Sequence, residues 1–243
     1  MRSARRMSLG LAGAVVATGL AGCVTTQEEN SWLILRNART LASEGSVRVR
    51  AENPTVRVDR VELVRGSRSS ALVVSIHNVG PRPLTDLPIS VGLIGRGGTR
   101  TYLNDRAGIN YWDSHIPAVG AGETVSWVLP YAGKDVAGRP FALVGMPSQP
   151  PSTTVATLPR ITAARVAEQS ADRLQVRLSN HSGLPQYGLQ VYAVALRNGN
   201  VVAAGRAAVS ELGSSGKTTV GLTLAGDYTD AQLQLYAPPT IFK

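Results

Sequence analysis

The sequence predicts an all-β protein of two tandem antiparallel β-sandwiches behind a cleavable leader. Three observations predict it. Apolar residues recur at every second position in short runs, Gly and Pro clusters separate those runs, and the second half repeats the first at a constant offset of 102. The composition agrees, being high in Val, Gly, Thr, Ser and Pro and free of long charged helical runs.

The chain opens with Arg2, Arg5 and Arg6, followed by an uncharged apolar run of 12 residues, Leu9 to Leu20. A membrane-spanning helix needs about 20 apolar residues, so this run reads as a secretory signal. The Arg5-Arg6 pair and the weakly hydrophobic run leave twin-arginine export open beside the general route, which ranks first. Leu20-Ala21-Gly22-Cys23 then resembles the lipobox of bacterial lipoproteins. The resemblance implies cleavage after Gly22 and a diacylglyceryl thioether on Cys23. Cys23 is the only cysteine, which fits acylation better than a disulfide framework. Residues 1–22 are thus expected to be a signal peptide and 23–46 a lipidated tether. The location implied is extracytoplasmic, lipid-anchored to a bacterial membrane. Within the tether, Ser31–Glu44 fits either a short helix or a strand around Trp32 to Leu35, and both stay open.

The first sandwich is expected over 47–146. Val47 and Val49 alternate with Arg48 and Arg50, and Val56 and Val58 with Arg57 and Asp59. Val61 and Leu63 resume the pattern one residue out of phase, as a bulge produces. Leu72–Ile76, Leu87–Leu93, Thr124–Leu129 and Phe141–Val144 continue the series, with a long loop before Thr124. Three prolines within Pro147–Ser152 predict a stiff linker over 147–157. The second sandwich follows over 158–243.

The repeat is detailed. Leu72, Val74, Ile76 and Asn78 align with Leu174, Val176, Leu178 and Asn180, and Gly97 aligns with Gly199 of Asn198-Gly199, a dipeptide favoured in I′ hairpins. Gly122-Glu123-Thr124 aligns with Gly216-Lys217-Thr218 at an offset of 94, which implies eight extra residues in the first copy around Asn104–His115. An apolar strand ending in Asn-x-Gly, a Pro-containing loop, an alternating strand and a Gly-Glu/Lys-Thr turn together resemble the bacterial Ig-like module of the cell-adhesion-related (CARDB) type. The likeness covers Val56–Met146 and Ile161–Ala237, with the second glycine displaced in Asn180-His181-Ser182-Gly183. It implies spacer or binding modules with no catalytic set.

The chemistry-bearing residues are few. Gly213-Ser214-Ser215-Gly216-Lys217-Thr218 has two residues between its glycines, where a phosphate-binding loop has four. No His, Cys or carboxylate spacing suits a metal, and no cofactor is implied. Asp113-Ser114-His115 holds hydrolase residue types without a nucleophile elbow. Two binding surfaces are candidates. Tyr111, Trp112 and His115 lie in the inserted loop, where they either anchor a partner or fold back over the core. Arg48, Arg50 and Arg57 open a basic segment that is either a solvated face or a contact for an anionic polymer or lipid headgroups. Nucleic acid is disfavoured, because no aromatics interleave with these arginines and an exported protein rarely meets it. The expected function is a membrane-anchored envelope lipoprotein acting as a non-catalytic binding or spacer module. Its partner would be an envelope protein or an anionic envelope polymer. The alternative is an accessory enzyme acting on envelope polymers.

Overall fold

The computed structural model describes residues 48–106, 109–131, 137–147, 157–170 and 172–240. The leader, Cys23, the tether and most of the proline-rich linker lie outside the described residues.

The first unit contains β1 (Val56–Arg65), β2 (Ser70–Asn78), β3 (Leu84–Ile94), β4 (Arg100–Tyr102), β5 (His115–Val119), β6 (Thr124–Tyr131) and β7 (Arg139–Val144). One sheet has the order β1-β2-β6, and in the other β3 is the central strand. The second unit contains β8 (Ile161–Ser170), β9 (Arg173–Asn180), β10 (Gln186–Arg197), β11 (Asn200–Leu212), β12 (Lys217–Gly226) and β13 (Gln232–Tyr236). They run in the order β13-β10-β11-β12-β9-β8. All pairings are antiparallel. β12 bends between layers, pairing β9 along Lys217–Thr223 and β11 only at Leu224–Gly226. The folded body is an all-β, Ig-like sandwich architecture, and no helix among the described residues is long and apolar enough to cross a membrane.

The units share one topology. β1-β2-β6 corresponds to β8-β9-β12, β3 to β10 and β7 to β13, while β4 and β5 together occupy the place of the single strand β11. The same clamp closes both. Asn78 Nδ2 donates to the carbonyls of Arg82 (2.7 Å) and Gly120 (3.0 Å), while its Oδ1 accepts from Gly80 N at 2.9 Å. Asn180 does the same with Leu184 O (2.7 Å), Gly213 O (3.0 Å) and Ser182 N (3.0 Å). Both amides are buried, so these bonds satisfy loop carbonyls and an amide that water does not reach.

The bulge falls where the phase slips. Val58 pairs with Ile76 and Arg60 with Ser75, so Asp59 is the extra residue. Asn198 (φ 52°) and Gly199 (φ 82°) both take the left-handed conformation of the expected I′ turn. Three expectations need correction. Residues 48–50 form no strand; Val49 instead lies on the outer face of β3, its N–H on Ser90 Oγ at 2.8 Å. The long loop hides β4 and β5, the latter masked by Pro117 at its centre. The repeat offset after the insertion is 93 rather than 94, since His77 pairs with Thr124 and Ser179 with Lys217. The insertion is therefore nine residues.

The units are stacked face to face. On β2, Leu72, Val74 and Ile76 point into the first sandwich, while Ala71 and Val73 on the opposite face are equally buried. Tyr192, Val194 and Ala204 of the second unit join the first unit's apolar cluster and cover that face. Leu189, Val191, Ala193 and Ala195 of β10 point the other way, into the second core with Leu174, Val176 and Leu178. With the six-stranded sheet folded at β12, four layers of strands result, the inner two buried on both sides. That explains why β2, β6 and β10 read as nearly continuous apolar runs.

Candidate functional site at the seam between units

The insertion replaces a missing stretch of ladder along β3. β4 pairs with β3 at Gly92–Ile94, and β5 pairs with it at Leu84–Pro88. Between them Asn104 stands in for backbone: its Oδ1 accepts from Val91 N (3.0 Å), and its Nδ2 donates to Ile89 O (2.8 Å) and Asp113 O (2.9 Å). Asn110 caps the 3-10 turn Tyr111–Asp113 in a reciprocal capping box with Asp113. The nine residues therefore interrupt the strand without leaving β3 unpaired.

The aromatic candidates fold back. Trp112 is 8% exposed and His115 3%. Tyr111 stacks on the His115 ring at 4.0 Å and 4°, meets Trp112 edge-on at 4.9 Å, and donates its hydroxyl to Asp86. Burial, aided by the Asp86 carboxylate, raises the Tyr111 phenol far above its ordinary value. From inside the first core, Trp127 Nε1 donates to the carbonyls of Trp112 (3.2 Å) and His115 (3.3 Å). Trp112 and His115 are thus interior residues and offer no face to an outside partner. Of the two readings open in the sequence, the structure has the folded-back one.

Ser114 Oγ lies 3.0 Å from His115 Nδ1, the contact of a nucleophile with its base. Asp113 does not complete a triad with them, since its carboxylate faces Arg206. Ser114 is buried, and burial holds His115 below its ordinary pKa. Asp105 is bonded to Arg48 and takes no part. Among the described residues, no group of three or more His, Cys, Asp or Glu side chains is placed to hold a metal.

What the insertion does touch is the second unit. Arg206 of β11 donates through Nη2 to Asp113 Oδ1 and through Nη1 to Trp112 O at 3.2 Å. The two charged side chains are 14% and 11% exposed. Tyr192, the cross-strand partner of Arg206, lies beneath them with a fully buried hydroxyl, and desolvation raises its phenol. Arg60 Nη1 donates to Gly199 O at 2.7 Å, Glu62 accepts from Val201 N at 3.2 Å, and Arg68 pairs with Asp172 at 3.9 Å. In the sequence the seam is marked by the unbroken apolar run of β2 and by Arg206, a lone charge amid small residues in Ala203-Ala204-Gly205-Arg206-Ala207-Ala208.

The basic segment is largely matched with acids. Arg48 bonds Asp105, Arg57 pairs with Asp59 at 2.5 Å, and Arg60 with Glu62 at 3.3 Å. The Arg57 hydrogen bond lowers the Asp59 carboxyl below its ordinary value. Arg50 is exposed. A cleft of about 360 Å³ opens along the seam, floored by Val73 and Val194 and rimmed by Ser75, Ser126, Gln234 and Tyr236. Gly213–Gly216 is a tight turn closed by Gly216 N to Gly213 O at 3.0 Å, with β12 following.

No family model and no curated protein matches the chain. Among solved structures, it has a weak likeness to a transglutaminase of red sea bream (16% identity, 74% of this chain and 29% of that one, TM-score 0.23). A second is the C-terminal globular domain of an oligosaccharyltransferase from Pyrococcus abyssi (9% identity, 77% of this chain and 46% of that one, TM-score 0.23). The chain thus spans less than half the length of either. Likeness at that level carries no functional argument.

Proposed function

We propose that the protein is a membrane-anchored lipoprotein of the bacterial cell envelope, a non-catalytic binding module that presents a two-sandwich body on a lipidated tether. The observation that carries this is Leu20-Ala21-Gly22-Cys23 at the end of a short apolar run opened by arginines, with no other cysteine in the chain. Several acyl chains on Cys23 anchor stably, because each buried CH₂ contributes about 0.8 kcal/mol. The stacked units favour a compact, stiff module over an extended spacer. The CARDB-like pattern supports the same reading, with an envelope protein or an anionic envelope polymer as its partner. Mass spectrometry of the membrane fraction tests it: the expected species begins at Cys23 and carries diacylglycerol. Cys23→Ala is expected to leave the membrane or to accumulate as uncleaved precursor. A variant held as firmly as the wild type and still processed removes the anchor.

A further inference from the structure

The outer face of the β3 sheet carries a cluster of arginines that the seam does not use. Arg100 on β4 and Arg139 on β7 flank Ile94 on one rung of the sheet. Arg96 follows two residues later in the exposed turn. On the next rung but one, Gly92 lies between Tyr102 and Phe141. A Cβ there would stand 2.1 Å from Thr101 O and 2.8 Å from the Phe141 ring. Only glycine lets the two rings close over the strand, edge to face at 5.3 Å. The Arg48 guanidinium lies 5.1 Å over Tyr102 and that of Arg100 5.2 Å over Phe141. The result is a cation–aromatic row, Arg48–Tyr102–Phe141–Arg100, across an open sheet face. A guanidinium lying over a ring keeps its in-plane N–H donors directed outward, in the fork that suits phosphate oxygens.

Charge and chain geometry select the occupant. Arg48 spends its charge on Asp105. Among the described residues, no carboxylate lies within ion-pair distance of Arg96, Arg100 or Arg139, all of them exposed. Arg48 is also the member of the row nearest in sequence to Cys23. From Cys23 to Arg48 the chain has 25 residues to span. Twenty-five residues reach at most about 80–90 Å, so an anchored body is held close to the bilayer at a raised effective concentration. A weak, screened attraction is then enough to orient it.

We infer that the Arg96–Arg100–Arg139 face docks on the anionic phospholipid headgroups of the leaflet that holds the anchor, laying the β3 sheet toward the bilayer and the second unit away from it. The orientation presumes the anchor; the affinity of the face for headgroups does not, and the two are tested separately. The polypeptide from Val24 onward keeps the whole folded body and lacks the lipid. It is expected to sediment with vesicles containing about 30% anionic phospholipid at low salt, at least about tenfold more than with neutral vesicles. Binding should vanish near 1 M salt, where the screening length is about 3 Å. Arg96→Glu/Arg100→Glu/Arg139→Glu should abolish it. Arg160→Glu/Arg177→Glu/Lys217→Glu changes the net charge equally on the second unit and should preserve it. Equal loss in both triple variants, or no preference for anionic vesicles, overturns the proposal. So does binding to a soluble anionic polymer with none to vesicles. The mass of Cys23 in the full chain reports on the anchor alone, whatever the vesicles show.

Discussion

Replacing Arg206 with alanine should destabilise the whole stacked body. In the folded chain the Asp113 carboxylate is 11% exposed and faces the guanidinium across the seam, with Asn110 N as its other partner at 3.2 Å. Removing the cation leaves a buried carboxylate without its counter-charge, which typically costs about 3–5 kcal/mol. It also removes a donor from Trp112 O, but Trp127 Nε1 remains there, so that loss is minor. With a urea slope of about 2 kcal/mol/M, the midpoint should fall by about 1.5–2.5 M. The double variant Arg206→Met/Asp113→Leu should recover most of the loss, because two apolar groups in place of a buried pair are often neutral. Urea titration followed by tryptophan fluorescence is a suitable assay, since Trp112 and Trp127 sit on either side of the affected carbonyl. A cost below about 1 kcal/mol for Arg206→Ala, or a double variant as weak as the sum of the singles, would refute a buried, coupled pair.

Two further expectations concern stability. His115 is held below the ordinary histidine value of 6.5, chiefly by desolvation, so the unfolded chain binds more protons around and below that pH. Stability should therefore decline as pH falls through about 6.5, and chemical denaturation of His115→Gln at several pH values should show a flatter dependence. Asn78→Ala and Asn180→Ala should each cost about 2–4 kcal/mol, because each strands buried loop groups; equal losses by calorimetry would show the two clamps to be equivalent. A loss under about 0.5 kcal/mol in either would mean the loop satisfies itself with water.

The parts of the fold legible in the sequence are those governed by neighbours along the chain. Alternation marks β2, β6 and β10, the phase slip marks the bulge at Asp59, and Asn198-Gly199 marks the I′ turn. β4 and β5 were not legible, because an insertion cuts what is one strand in the second unit into two short pieces, and an asparagine side chain completes the gap. Tyr111 and Trp112 are held by contacts that no local pattern encodes: Tyr111 with Asp86, the Trp112 carbonyl with Trp127, and the neighbouring Asp113 with Arg206, 93 residues away. The twofold burial of β2 was visible in its composition, since Ala71 and Val73 join Leu72 and Val74 in an unbroken apolar run. A single sandwich gives no reason for it.

The stacking joins unlike faces: the β1-β2-β6 sheet of one unit meets the β10-β11 sheet of the other. Such a head-to-tail contact has no symmetry to close it, and two units built alike offer a free copy of each face at the two ends. Left unaltered, those ends would add further molecules into a fibre. Both are altered. Where the first unit presents Ala71, Val73 and Ser75, the second presents Arg173, Gln175 and Arg177 at its far surface. Where the second presents Val194, the first has Gly92 closed under Tyr102 and Phe141, with guanidinium groups above the rings. These charges oppose further growth by this contact, and those on the first unit leave the outer β3 face to meet something other than a second copy.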